Sequence, residues 1–282
     1  MSQKSYDNSP TLYLIPTPIG NMEDITIRAL NILKEVEVIF CEDTRVTMNL
    51  LNYFDIKKKL ISSHNFNEAN NKNKLLDYLK NGYNVGLVSD RGTPIISDPG
   101  YELAKFAIEE GYNVVSLPGA TALIPALTSS GISPMPFYYY GFLNSKDSQR
   151  RKELENLKNI KATLIIYEAP HRINKTLKDL GNILGNNRKI SISREISKKY
   201  EEIYRGTIQE LIEENNEYKG ELVIVIEGNT EEVKFENLTI KEHVDFYIND
   251  GYSVMDAIKL TTKDRGLKKS EVYDQYHSLE KK

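Results

Sequence analysis

Short apolar runs alternate along this chain with stretches whose apolar residues recur every three or four positions. That alternation predicts its elements. Thr11 to Ile15 is a β-rich run stopped by the turn-dense Pro16-Thr17-Pro18-Ile19-Gly20-Asn21. Ile25, Ala29, Leu30 and Leu33 then share one helical face, with Asp24 or Thr26 as the cap. Val36 to Phe40 reads as a second strand that runs into Cys41-Glu42-Asp43-Thr44-Arg45, and Thr47 to Phe54 as a short helix. The Lys57-Lys58-Lys59 run reads as solvated surface, and Ile61 opens a segment leading to a polar cluster around His64. Leu75, Leu76 and Leu79 mark a helix that ends near Asn81-Gly82, a good C-cap pair. Val85 to Ser89 is the next strand, Tyr101 to Glu110 a helix and Val114 to Leu117 a strand. The helix after it, about 121–130, is nearly all apolar and small and is expected to be buried. Strand and helix alternate from 11 to 130, the pattern of a mostly parallel, helix-covered sheet.

Gly131 to Pro136 is the best linker, and a second unit begins at Phe137–Phe142. A helix carrying Lys146, Arg150, Arg151 and Lys152 follows, then a strand at Ala162–Tyr167 and a helix from about 172 to 184 closed by Gly185. Ile190–Glu195, Glu202–Gly206 and Glu221–Glu227 read as strands, with a helix at Thr207–Glu214 between the last two. Their short connections predict a mixed sheet. Residues 229–237 are charged and polar, and the remainder is helical in pattern, with Gly251 and Gly266 as separators and Ser253 with Asp256 as a capping box. The expected architecture is α/β: an N-terminal domain over 11–131, a second α/β domain over 132–228, and a helix-turn-helix-like module over 238–282.

Composition narrows the function. The formal net charge of −3 provides no global basic field toward nucleic acid. One cysteine, Cys41, excludes a disulfide framework, and the four histidines lack ligand spacing, so no protein-bound metal is expected. No run approaches the roughly 18 apolar residues of a membrane span, and the N-terminus lacks an apolar leader, so a cytoplasmic, soluble protein is expected.

The chemistry centres on 85–100, where the apolar run ends at Ser89-Asp90 and Gly92, Pro94, Pro99 and Gly100 follow with a second carboxylate at Asp98. In open α/β folds ligands bind at this carboxyl edge of the sheet. There is no Gly-x-Gly-x-x-Gly and no P-loop. Four loops nevertheless sit at strand ends, 16–21, 90–100, 118–121 and 167–172, each joining Pro or Gly to a hydrogen-bonding residue. Together they predict a shared cleft that offers backbone groups and few charges, suited to a zwitterionic ligand with an adenine. Arg150, Arg151 and Lys152 form the best local basic patch, and phosphate contacts of that kind position RNA without reading its sequence.

Seven ordered blocks carry a resemblance. They are Leu14-Ile15-Pro16-Thr17-Pro18-Ile19-Gly20-Asn21, Cys41-Glu42-Asp43-Thr44-Arg45, Ser89-Asp90-Arg91-Gly92-Thr93-Pro94, Ser97-Asp98-Pro99-Gly100, Leu117-Pro118-Gly119-Ala120-Thr121, Gly141-Phe142-Leu143 and Tyr167-Glu168-Ala169-Pro170-His171-Arg172. The chain in these blocks resembles the ribosomal RNA small subunit methyltransferase I family, within the tetrapyrrole-methylase-fold methyltransferases. The resemblance implies S-adenosylmethionine-dependent 2′-O-methylation of a cytidine ribose in 16S rRNA of the 30S subunit, by a homodimer. It implies a donor held between the two domains by Pro16, Asp90, Gly92, Thr93, Ala120 and Thr121 on one side and Tyr167, Ala169 and Pro170 on the other. It leaves the base open among Glu42, Asp43, Asp98, His64 and Glu168. Arg45, His64, Arg150, Arg151, His171 and Arg172 are the expected RNA contacts. Two positions depart from the family pattern, Arg91 for the usual Ala and Asn144 for the usual Pro. The competing readings are a tetrapyrrole C-methyltransferase of the same fold and a non-enzymatic helix-turn-helix nucleic-acid-binding protein.

Overall fold

In the computed structural model, the described residues are all except 1, 2, 6, 64–67, 231–237, 250 and 279–282, with backbone alone at 68–70 and 278. Residues up to 229 form one compact unit and 230 onward a second.

The first half of the larger unit holds β1 (Thr11–Leu14), α1 (Ile27–Glu35), β2 (Val38–Cys41), α2 (Thr44–Tyr53), β3 (Lys59–Ser62), α3 (Glu68–Lys80), β4 (Val85–Val88), α4 (Tyr101–Glu109), β5 (Asn113–Ser116) and α5 (Leu123–Ser129). Its five strands are all parallel, in the order β3-β2-β4-β1-β5. Parallel strands need helical crossovers of one hand, so the direction of each step along the sheet decides which face its helix covers. The steps β1 to β2 and β2 to β3 run one way and put α1 and α2 over Tyr13, Ile15 and Ile39. The steps back to β4 and on to β5 put α3 and α4 over Leu12, Leu14, Phe40 and Leu87. Adjacent β1 and β4 therefore send their following loops to opposite faces, and a crevice opens beyond their carboxyl ends.

Local capping follows the sequence. Thr26 accepts a hydrogen bond from the Ala29 N–H, and Asp43 from the Arg45 N–H. That second cap starts α2 at Thr44, three residues before the expected start. Lys59-Leu60-Ile61-Ser62, weak in alternation, becomes the edge strand β3 through pairing with β2. The expected burial of the helix after β5 is corrected: only Ala126 and Leu127 of α5 are buried, and Ile124 is 42% exposed. One stripe of this helix packs on the second sheet; the others face outward.

The second half holds β6 (Phe137–Phe142), α6 (Asp147–Leu157), β7 (Thr163–Glu168), α7 (Ile173–Leu184), β8 (Lys189–Arg194), β9 (Glu202–Thr207), α8 (Ile208–Glu214) and β10 (Leu222–Ile226). The sheet is mixed, in the order β6-β7-β10-β8-β9, with β6 and β7 parallel and the other pairs antiparallel. Period-2 alternation sends Leu164, Ile166, Ile192 and Ile224 toward α6, α7 and α8, and Ile165, Val223 and Val225 toward α5. A full capping box between Thr207 and Glu210 starts α8.

The smaller unit contains α9 (Ile240–Asn249), α10 (Val254–Arg265) and α11 (Lys269–Ser278) around Val244, Ala257, Ile258, Val272 and Tyr276. Ser253 caps α10 by accepting from the Asp256 N–H, and Gly266 ends it in the left-handed region.

Candidate functional site

The strand-end loops converge because backbone bonds tie them together. Thr17 and Gly92 exchange two backbone hydrogen bonds of 2.9 and 3.0 Å, and the Thr17 hydroxyl donates to the Ser89 carbonyl. The Thr93 hydroxyl reaches the Ala120 carbonyl at 3.0 Å. Gly119 lies so close to Pro16 that an added Cβ would come within 2.5 Å of the proline Cβ. Gly92 adopts φ 79°, a left-handed geometry in which glycine carries no Cβ penalty. The second sheet joins through a 2.7 Å hydrogen bond between the Ser97 and Tyr139 hydroxyls. Tyr139 and Phe142 both pack edge-on against Tyr167.

These loops enclose a cavity of about 380 Å³, within the size range of small-molecule sites. Of the expected donor residues, Gly92, Thr93, Thr121, Tyr167, Ala169 and Pro170 line it. Pro16, Asp90 and Ala120 stand behind the wall: Pro16 against Gly119, Asp90 accepting the Asp43 N–H at 3.0 Å, and Ala120 accepting from Thr93. Sequence reasoning missed Ile19, Ile96, Phe142, Ile196, Leu222 and Val223 in the wall. Leu222 and Val223 arrive only because β10 pairs antiparallel with β7, opposite Glu168 and Tyr167. Ile19 and Phe142 lie inside two of the seven blocks, so for them a signal was available.

The wall carries three carboxylates, on Asp98, Glu168 and Glu221. Glu168 as a candidate base is corrected. Its buried carboxylate accepts from the Ala169 N–H (2.7 Å), Arg172 (2.8 Å to Nε, 2.6 Å to Nη2) and the Thr176 hydroxyl (2.6 Å). Arg172 is corrected with it, since its other bond goes to the Leu143 carbonyl. Glu221 sits at the mouth, bridged by Arg91 at 2.6 Å and Lys198 at 2.9 Å. Arg91, also in the lining, thus spans at the mouth from the first sheet's loop to the second sheet's side. Asp98 differs: burial, with the like charges of Glu42 and Asp90, pushes its carboxyl up to about 6. Burial also raises the Tyr167 hydroxyl, and it pushes the Cys41 thiol at the end of β2 up to about 11.

The basic patch does not form as expected. Arg150 is 1% exposed. It gives two bonds to one Asp179 oxygen, at 2.9 and 2.6 Å, and one to Asp147 at 2.9 Å, so it is corrected from phosphate ligand to structural ion. Arg151 is largely exposed, with its Nε on the other Asp179 oxygen. Arg45 is exposed and paired with Asp43, which holds that carboxyl down at about 2, and His171 is exposed. His64 lies outside the described residues. Among the described residues no group of three His, Cys, Asp or Glu is placed to hold a metal ion, and no helix is long and apolar enough to cross a membrane.

Comparison with known proteins agrees with this architecture. Residues 11–212 match the family of tetrapyrrole (corrin/porphyrin) methylases. Among solved structures, a cobalt precorrin-4 methyltransferase of cobalamin biosynthesis superposes with a TM-score of 0.58 at 18% identity, covering 77% of this chain and 94% of that one. A Thermus thermophilus uroporphyrin-III C-methyltransferase complexed with S-adenosylhomocysteine gives 0.54 at 20% identity, covering 77% and 97%. At such identities these show the fold. The ribosomal RNA small subunit methyltransferase I of Bacillus subtilis (strain 168) is 48% identical over 98% of this chain and 97% of its own length. With that identity over nearly the whole of both chains, this protein belongs to the ribosomal RNA small subunit methyltransferase I family of the tetrapyrrole methylases.

Proposed function

We infer that the chain is an S-adenosylmethionine-dependent methyltransferase of small-subunit ribosomal RNA, acting on the 2′-oxygen of a cytidine ribose. Full-length similarity to relatives named for this RNA supports the acceptor class. The observation that carries the donor is the cavity: backbone-rich loops from both sheets, an apolar lining at Ile19, Ile196 and Leu222, and an interior carboxylate at Asp98. Arg91, its one wall cation, is neutralised by Glu221. Such an interior favours a cation carrying an apolar body, as this donor does.

When bound, the donor supplies a methyl group on a positively charged sulfur. The chain's part is alignment and exclusion of water. Thr93 and Thr121 present hydroxyls from the first sheet, while Tyr167, Ala169 and Pro170 close the opposite wall. The exposed Arg45, Arg151 and His171 are the remaining side chains for RNA phosphate. A three-part organisation (11–131, 132–228, 238–282), a homodimer and a cytoplasmic location accompany this reading. Mapping 2′-O-methyl groups on 16S rRNA of cells with and without the protein tests it; one cytidine methyl should vanish with the gene. Label from the donor entering a porphyrinoid precursor and not 30S subunits would overturn it.

A further inference from the structure

We propose that Asp98 is the general base of the transfer, its carboxylate taking the proton of the acceptor ribose hydroxyl. This rests on the ribose-methylation reading above. It follows from what each wall carboxylate is already doing. Glu168 is saturated by a guanidinium, a hydroxyl and a backbone N–H inside the protein. Glu221 is tied to two cations at the mouth. Asp98 faces the cavity with the Ser89 hydroxyl as a hydrogen-bond partner, and among the described residues no cation pairs with it; the charges that act on it, Glu42 and Asp90, are of its own sign.

The backbone around Asp98 is built at a cost. Ile95 and Ser97 adopt φ of 78° and 67°, left-handed values that a β-branched residue and a serine rarely take, and Gly100 follows at 117°. Strain of this kind persists where the surroundings over-determine it, and it clusters at working sites. Here the Ser97 hydroxyl is held by Tyr139 of the second sheet, and the loop is zipped to the first through Thr17 and Gly92. The result is a carboxylate fixed in the wall shared by both sheets.

A ribose hydroxyl is a weak acid, and a positioned base with a pKa near the working pH speeds its reaction by roughly 10²- to 10⁴-fold. Burial and the neighbouring charges move Asp98 toward that range while leaving it ionised at neutral pH. In the step, the 2′-oxygen forms its bond to the methyl carbon as the carbon–sulfur bond breaks, and that electron pair stays on sulfur. The hydroxyl proton passes to Asp98, and the neutral carboxyl then releases it to water. The sulfonium charge and the carboxylate charge disappear together, so charge balances.

The test compares the full chain with Asp98→Asn and Asp98→Glu on 30S subunits at saturating donor, from about pH 5 to about pH 8.5. The wild-type rate should rise to a plateau with a midpoint near 6, as the carboxyl does. Asp98→Asn should lose roughly a hundredfold or more of the plateau, together with its acid limb, while Asp98→Glu keeps the limb. Affinity for S-adenosylhomocysteine by calorimetry should change little, since that ligand lacks the sulfonium. Potentiometric titration of wild type minus Asp98→Asn should show one group near pH 6 without any turnover. A plateau for Asp98→Asn within about threefold of wild type, an acid limb that survives in it, or no such titrating group would overturn the assignment. Wild type that methylates porphyrinoid and not ribose would instead overturn the reading beneath it, and the base with it.

Discussion

Replacing Arg150 separates a structural ion from a phosphate ligand. Its guanidinium and the Asp179 carboxylate are almost wholly out of water, at 2% and 5% side-chain exposure. In Arg150→Ala, Asp179 keeps only the Arg151 contact at 2.8 Å. Breaking a buried pair by removing one partner costs about 3–5 kcal/mol, and the surviving contact places this case near about 3 kcal/mol. Arg151 is 61% exposed, so its removal should cost about 0–1 kcal/mol. The chain has no tryptophan, so urea unfolding is followed by circular dichroism. With a slope near ~3 kcal/mol per molar urea, Arg150→Ala should lower the midpoint by about 1 M, and Arg151→Ala by about a third of that at most. Arg150→Met combined with Asp179→Leu should recover much of the loss, because a buried pair exchanged for packed apolar groups is often neutral. An unchanged midpoint in Arg150→Ala, together with weakened binding to 30S subunits, would refute this and return Arg150 to the RNA.

Asp98→Asn should raise thermal stability at neutral pH. A carboxyl raised to about 6 in the folded state binds its proton more readily than in the unfolded chain, so its stabilising effect is complete at low pH and fades as pH rises through that value. Allowing for solvent screening, the gain in Asp98→Asn is ~1–2 kcal/mol at neutral pH and absent near about pH 4; a gain equal at both pH values would contradict it. Gly119→Ala drives a Cβ against Pro16 and should cost about 1–3 kcal/mol and weaken S-adenosylhomocysteine binding by calorimetry; full affinity in a fully stable variant would count against the close approach. Asp90→Ala removes the acceptor of the Asp43 N–H and should weaken donor binding roughly tenfold, the effect of about 1.4 kcal/mol; unchanged affinity would place Asp90 outside donor binding. Thr207→Ala dismantles the α8 capping box and should cost about 1 kcal/mol in urea unfolding with methyl transfer intact.

Much of the fold was legible because local pattern and topology agree. Alternating strands and helices up to residue 130 require crossovers, and crossovers require a parallel sheet with both faces covered, as in β1 to β5. Short connections among the later strands predicted a mixed sheet, and β6 to β10 form one, with β6 and β7 parallel and the other pairs antiparallel. The strand-end loops were readable as one site because Pro and Gly stop strands at the sheet edge where ligands bind. Edge strand β3 was harder, since its pairing with β2 supplies the stabilisation that its own four residues lack.

What only the folded chain decided is which polar groups are already spent. Arg150, Glu168 and Arg172 looked reactive in one dimension, yet each finds its counter-charge 3 to 29 residues away, and loss of water around it leaves it no choice but to pair. Asp98 is the opposite case: half-buried, and with no cation paired to it among the described residues, it has its carboxyl raised instead. Arg91, inside the most informative stretch, owes its partner Glu221 to the residue that leads into β10, 130 positions on. Sequence pattern reports spacing and type, whereas charge state and availability depend on distance and dielectric, which exist only after the two sheets meet.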